Sequence, residues 1–139
     1  MAIQFILDRI KSVYGLASTT LTATTETSAA AVDRTGFDAV LIIVKNGVSS
    51  GNGLTLKLYD GATNSPATAV TLNATPVVID TTAVGQTIYQ VDLAGFNKYF
   101  KATITPSTAT SVTFDVDYVL VQSRVDPASG TAVVPLAKA

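Results

Sequence analysis

Asp115 and Asp117 carry the most chemical potential of any pairing in this 139-residue chain. Residues two apart on a strand point to one face, so their carboxylates project together. Such a pair can hold a hard cation, or act as the acid and base of a glycosidase-type hydrolase. No third oxygen ligand can be placed beside them from sequence. A solvated sheet face is the more economical account of two neighbouring aspartates. The chain contains no histidine and no cysteine. The commonest acid/base near neutral pH is therefore missing, and Ser–His–Asp and Cys–His arrangements cannot form within the chain. Thiolate metal sites and disulfides are excluded on the same ground. These absences predict a protein that is not an enzyme and uses no cofactor or metal.

Asp33 and Asp92 belong to a phrase written twice, Val-Asp-Arg-Thr-Gly-Phe-Asp at Val32–Asp38 and Val-Asp-Leu-Ala-Gly-Phe-Asn at Val91–Asn97. Aspartate folds its carboxylate back onto nearby N–H groups, and glycine takes positive φ without strain. Asp33, Gly36 and Phe37, like Asp92, Gly95 and Phe96, are thus expected to form structural corners. In each, the aromatic would plug the core as the next strand begins. Backbone capping explains these aspartates more simply than calcium binding. Asn46–Gly53 has glycines but neither a following helix nor a P-loop lysine, so it reads as a loop and not a phosphate cradle. Without tryptophan, and with Phe37, Phe96, Phe100 and Phe114 inside strand patterns, the aromatics suit core packing better than a sugar platform. Tyr59, Tyr89 and Tyr99 read as exposed candidates for a protein interface.

The elements that position these residues are strands. From Ala17 onward the chain is rich in Thr, Val, Ile and Tyr. Thr19–Thr25 and Ser28–Val32 read as short or edge strands, and Phe37–Val44 as a central strand covered on both faces. Leu54, Leu56 and Leu58 alternate with Thr55, Lys57 and Tyr59, a half-buried pattern. Ala69–Leu72, Val77–Asp80, Thr87–Leu93, Lys98–Thr105 and Ser111–Gln122 follow. About eight strands with no crossover helices predict an all-β antiparallel sandwich of jelly-roll type. Ile3–Tyr14 is either the one helix, with Ile3, Ile6, Leu7, Ile10, Val13 and Tyr14 near helical spacing, or an extended arm that pairs with a neighbour. Val125–Ala139 contains Pro127, Gly130 and Pro135, lacks alternation, and reads as an arm docking on another subunit. The expected division is 1–16 as N-terminal helix or arm, 17–124 as sandwich and 125–139 as C-terminal arm.

Composition narrows the function classes. A hydrophobic fraction of 47% with 14% charged residues argues for a folded domain. A net charge of −1 with scattered basic residues gives no basis for nucleic-acid binding. No apolar run reaches the roughly 18–20 residues of a membrane span. The N-terminus lacks the basic region of a secretory signal, so no membrane association or export is expected.

The order Ala30-Ala31-Val32-Asp33-Arg34-Thr35-Gly36-Phe37-Asp38-Ala39-Val40, a Gly-rich loop, Leu54-Thr55-Leu56-Lys57-Leu58 with its acidic turn, and Asn97-Lys98-Tyr99-Phe100-Lys101-Ala102 resembles a known family. These are the small β-sandwich capsid decoration (cement) proteins of tailed bacteriophages. The resemblance covers roughly Thr19–Arg124, and the apolar N-terminal segment and Val/Pro-containing tail depart from it. It implies a virion protein made in the bacterial cytoplasm and bound to the outer capsid surface at capsomer junctions. The implied partner is the major capsid protein and the implied state a homotrimer. Ile3, Phe5, Ile6, Ile10, Tyr14, Val133, Val134, Pro135 and Leu136 are the expected contact residues. A tail, neck or fibre-base component, or more distantly a carbohydrate-binding module, are the alternatives. On this reading, removing Val125–Ala139 would leave a folded protein that no longer binds capsids.

Overall fold

The chain folds as two sheets whose inward residues are those marked by the alternating pattern. The computed structural model describes residues 10–49, 53–73, 76–108, 111–122 and 133–139. In order, the strands are β1 (Ile10–Leu21), β2 (Thr27–Ser28), β3 (Val32–Asp33), β4 (Ala39–Asn46), β5 (Gly53–Gly61) and β6 (Thr68–Ala69). They continue with β7 (Val77–Asp80), β8 (Gly85–Asp92), β9 (Tyr99–Pro106), β10 (Val112–Val121) and β11 (Val133–Ala137). One sheet has five strands in the order β1-β10-β4-β8-β11. The six-stranded sheet runs β2-β9-β5-β6, with β3 added on β9 and β7 on β5.

Taking β2 with β3 and β6 with β7 as single strands leaves an eight-strand path, with β11 as an addition. Its sheets then run 1-8-3-6 and 2-7-4-5, the order produced by two Greek keys rolled together. The fold is the expected jelly-roll sandwich. Val40, Ile42 and Val44 of β4 and Phe114, Val116, Tyr118 and Leu120 of β10 are buried from one sheet. Leu54, Leu56 and Leu58 of β5 with Phe100, Ala102 and Ile104 of β9 are buried from the other. Tyr118 ties the layers together, because its ring meets Phe100 edge-on at 5.5 Å and its hydroxyl accepts the Ala102 N–H at 2.9 Å.

Three expectations need correction. Among the described residues there is no helix, and Ile10–Tyr14 belong to β1, antiparallel to β10. These residues are extended, but the strand pairs within its own chain and not with a neighbour. Residues 3–9, including Ile3, Phe5 and Ile6, lie outside the described residues. A β-bulge at Gly15 lets β1 follow the twist of β10; a Cβ there would lie 2.6 Å from the Val116 carbonyl oxygen. β1 runs straight through the supposed boundary between 16 and 17.

The C-terminal expectation changes as well. Residues 125–132 lie outside the described residues, but β11 pairs in parallel with β8, Val133 opposite Ile88 through Ala137 opposite Asp92. Proline is tolerated because β11 is the edge strand of its sheet, where a missing N–H costs little. Leu136 sits in the core at 2% exposure. This part of the tail belongs to the sandwich. Third, β4 is buried on one face only, with Leu41 and Ile43 half-buried on the other.

Candidate interaction surfaces

The repeated phrase forms two matched corners, each carrying the chain from one sheet to the other. The Thr35 N–H donates to Asp33 Oδ1 at 2.8 Å, and the Ala94 N–H donates to Asp92 Oδ1 at 2.9 Å. Gly36 (φ 86°) and Gly95 (φ 77°) take the left-handed turn. The Phe37 and Phe96 N–H groups then donate to the Arg34 and Leu93 carbonyls. Phe96 is buried against Phe100, whereas Phe37 is only half-buried at the rim of the core. The corners are also joined. Arg34 donates to the carbonyls of Phe96 and Asn97, and Leu93 N–H donates to the Asp38 carbonyl. Hydrogen bonds from the Thr35 hydroxyl and N–H, with Lys98 3.6 Å away, hold the Asp33 carboxyl below its ordinary range.

Asp60 has its side chain 2% exposed. Its Oδ2 accepts from the Asn97 N–H at 2.9 Å, the Asn97 amide at 3.2 Å and the Lys138 ammonium at 3.3 Å. Sequence reasoning passed over this residue as part of a turn. Its partners lie 37 and 78 positions away, so no local pattern marks it.

Asp115 and Asp117 lie on the outward face of β10. Asp117 pairs with Lys45 at 3.4 Å, and Asp115 stands opposite Lys45 in register. Asp115 Oδ1 is shielded from solvent without a hydrogen-bond partner. Among the described residues no three His, Cys, Asp or Glu side chains gather as a metal set. A shallow hollow of about 440 Å³ opens here, lined among others by Ser18, Lys45, Gln86 and Asp115. Among the described residues its lining brings together one cation, one anion and neutral groups.

The rest of that outward face mixes aliphatic side chains with Ser12, Gln90 and Asp92. Registers across the five strands give a row Ile10–Val121–Ala39–Asp92–Ala137 and a row Ser12–Val119–Leu41–Gln90–Pro135. A third row runs Tyr14–Asp117–Ile43–Ile88–Val133. Ile10 is 44% exposed and Tyr14 67%, while Leu41, Ile43, Ile88, Val119 and Val121 are half-buried. The six-stranded sheet presents Lys57, Tyr59, Tyr99, Lys101 and Thr105, with Val78 (57% exposed) opposite Thr55. Lys98 lies over the Tyr99 ring at 5.3 Å, and Lys101 lies over Tyr59 at 5.6 Å.

Of the expected contact residues, Ile10 and Tyr14 are exposed on one edge of the five-stranded sheet. Val134 (41% exposed) and Pro135 are exposed on the other, and Leu136 is buried. Tyr59 and Tyr99 are half-buried, and Tyr89 is core at 2% exposure, which pushes its phenol pKa up. Tyr89 alternates like Tyr99, but its row faces inward.

No protein-family model and no curated sequence matches the chain. Solved structures do. A chain from infectious bursal disease virus, Gt strain, is 10% identical with a TM-score of 0.53, covering 81% of this chain and 32% of its own length. The corresponding Gx strain structure is 13% identical, with a TM-score of 0.49 and coverages of 86% and 33%. A Clostridium thermocellum xylanase structure with CBM22-1 and GH10 modules is 9% identical, with a TM-score of 0.41 and coverages of 88% and 28%. The chain thus spans about a third of the viral chains it matches. The class these comparisons define is a β-sandwich of a fold that also occurs in a virus structure.

Proposed function

We propose that this chain is a structural virion protein, a decoration protein of a tailed-bacteriophage head. It binds the outer capsid surface at capsomer junctions by covering the aliphatic rows of its five-stranded sheet. The carrying observation is that strip of Ile10, Leu41, Ile43, Ile88, Val119 and Val121 on an outward sheet face. Contiguous apolar surface outside a folded domain marks a place where another surface belongs. The absence of histidine and cysteine supports binding over catalysis. The fold likeness to a virus structure is consistent with this reading, and the sequence resemblance supplies the phage head, the major capsid protein as partner and the trimer.

A cement protein of this kind works by burying area across two capsid subunits. An interface on the order of 1,600 Å² is a standard size, and each copy adds contacts that must break before the subunits part. The deciding experiment is cryo-electron microscopy of the virion whose genome encodes this chain. Density for the sandwich on the outer shell, with its five-stranded sheet against capsid protein, is the expected result. Density at the tail, neck or fibre base would overturn the head assignment, and absence from the particle would overturn the virion reading.

A further inference from the structure

We propose that the C-terminal strand is exchanged between copies of this chain: the slot that holds Val133–Ala139 in one molecule receives the same seven residues from a second. The slot has two lips and a floor. One lip is the edge of β8, which pairs with β11 along its whole length. The other is the segment after β6, where the Asn73 N–H donates to the Ala137 carbonyl at 2.9 Å and the Ala139 N–H donates to the Thr71 carbonyl at 2.8 Å. The Asn73 side-chain oxygen accepts the Ala137 N–H at 3.0 Å. On the floor, Leu136 enters the core, and Lys138 reaches Asp60 at 3.3 Å and the Gly95 carbonyl at 3.0 Å. An extended segment gripped on both edges, with pockets for alternate side chains, is strand addition.

Three features allow exchange without loss of contacts. The eight-strand jelly roll is complete at β10, so β11 is an addition to a finished sandwich. The slot cannot stand vacant without cost, because Asp60 would be left buried without its cation. Whether the strand is a molecule's own or a neighbour's, the contacts are the same.

The third feature is reach. Val121 and Ala137 share one row, so the chain leaves β10 level with the far end of β11. It must cross β4 and β8, about 14 Å at ~4.8 Å per strand, and run back about 13 Å along β11. Ten residues, the number between 122 and 133, can span at most about 33–36 Å. The span they must bridge within one molecule is only about 20 Å on the diagonal. A neighbour's slot within the longer reach serves equally. With equal contacts, the balance is set by concentration against a tether equivalent to the order of mM. Exchange therefore prevails where copies are held side by side at a local concentration above that of the tether.

The test uses two mixing experiments on the full chain. Asp60→Lys and Lys138→Glu chains each carry a mismatched slot, but a mixed, exchanged pair matches at both slots. Refolded together at about 1 mM, they are expected to give a mixed dimer in native mass spectrometry in at least tenfold excess over either homodimer. The mixed dimer should also melt above either parent. The second experiment holds even if a charge variant does not fold. Gln90 and Pro135 are register partners on the outward face. Single-cysteine Gln90→Cys and Pro135→Cys chains, refolded together and oxidised, trap only exchanged strands, since the chain has no other cysteine. A disulfide joining the two chains is the expected result. If that mixture yields no unequal cross-link, while a chain carrying both cysteines closes internally, the exchange proposal fails.

Discussion

Across the five-stranded sheet the outward positions include Val119, Leu41, Ile43, Ile88 and Val121 beside Asp117, Gln90 and Asp92, whereas across the six-stranded sheet they are Tyr99, Lys101, Tyr59, Lys57 and Thr105, with Val78 as an exposed aliphatic. Both faces arise from the same two-residue alternation against the same core. One is finished for water, its lysines lying over tyrosine rings and its Tyr59 hydroxyl donating to Glu26. The other carries a larger share of aliphatic groups, which water solvates poorly. A sandwich needs only one apolar face per sheet to fold. Aliphatic groups on a second face are thus surplus to folding, and the proposed function rests on them.

Four experiments break or sharpen that contrast. The largest effect is expected from removing 133–139, which takes Leu136 out of the core and the cation from Asp60. Loss of a buried leucine alone costs about 2–5 kcal/mol. Urea denaturation should show a strongly destabilised chain, whereas the arm reading required a folded one. A truncated chain of unchanged stability would show that the tail serves docking alone.

Next comes the aliphatic face itself. The double change Ile43→Asp and Val119→Asp is expected to weaken capsid binding at least ~100-fold, about 2.8 kcal/mol, in co-sedimentation. Circular dichroism should still report a folded sandwich, because both side chains are half-buried on the outward face. Reversing Lys57 and Lys101 to glutamate on the opposite face should change binding by less than about threefold, since rim charges steer encounter more than they set affinity. A larger loss there would exchange the roles of the two faces.

The smallest effect concerns pH. Asp33 and Asp80 are held below the ordinary carboxylate value of 3.8, Asp33 by Thr35 and Lys98, Asp80 by the Thr82 N–H and side chain. A lowered folded pKa gives stability that is full above the unfolded value and lost as pH falls through the folded one. Stability should therefore decline below about pH 4, with a shallower decline in Asp33→Asn. A urea midpoint that falls equally in that variant would remove the corner from the account.

The corners were legible because their chemistry is local. Asp33 bonds two residues ahead, as does Asp92, and a glycine follows at a fixed offset, so seven letters suffice. Strand existence was legible for the same reason in β5 and β10, where alternation fixes which residues share a face. β11 escaped because five residues containing a proline carry no alternation signal, and its partner β8 lies far upstream. β1 escaped in part because Ile10, Val13 and Tyr14 fall near helical spacing, while its pairing to β10 is set by residues far downstream.

The sequence by itself determined an all-β sandwich, two matched corners, and the lack of histidine and cysteine chemistry, since each follows from residue identity or short-range spacing. Only the tertiary structure decided the rest. It buried Tyr89 while leaving Tyr99 half-exposed, gave Asp60 its partners, and gathered the aliphatic side chains of four separate strands onto one face. Alternation assigns residues to one of two faces, but which of them meets the core depends on strands far apart in sequence coming together.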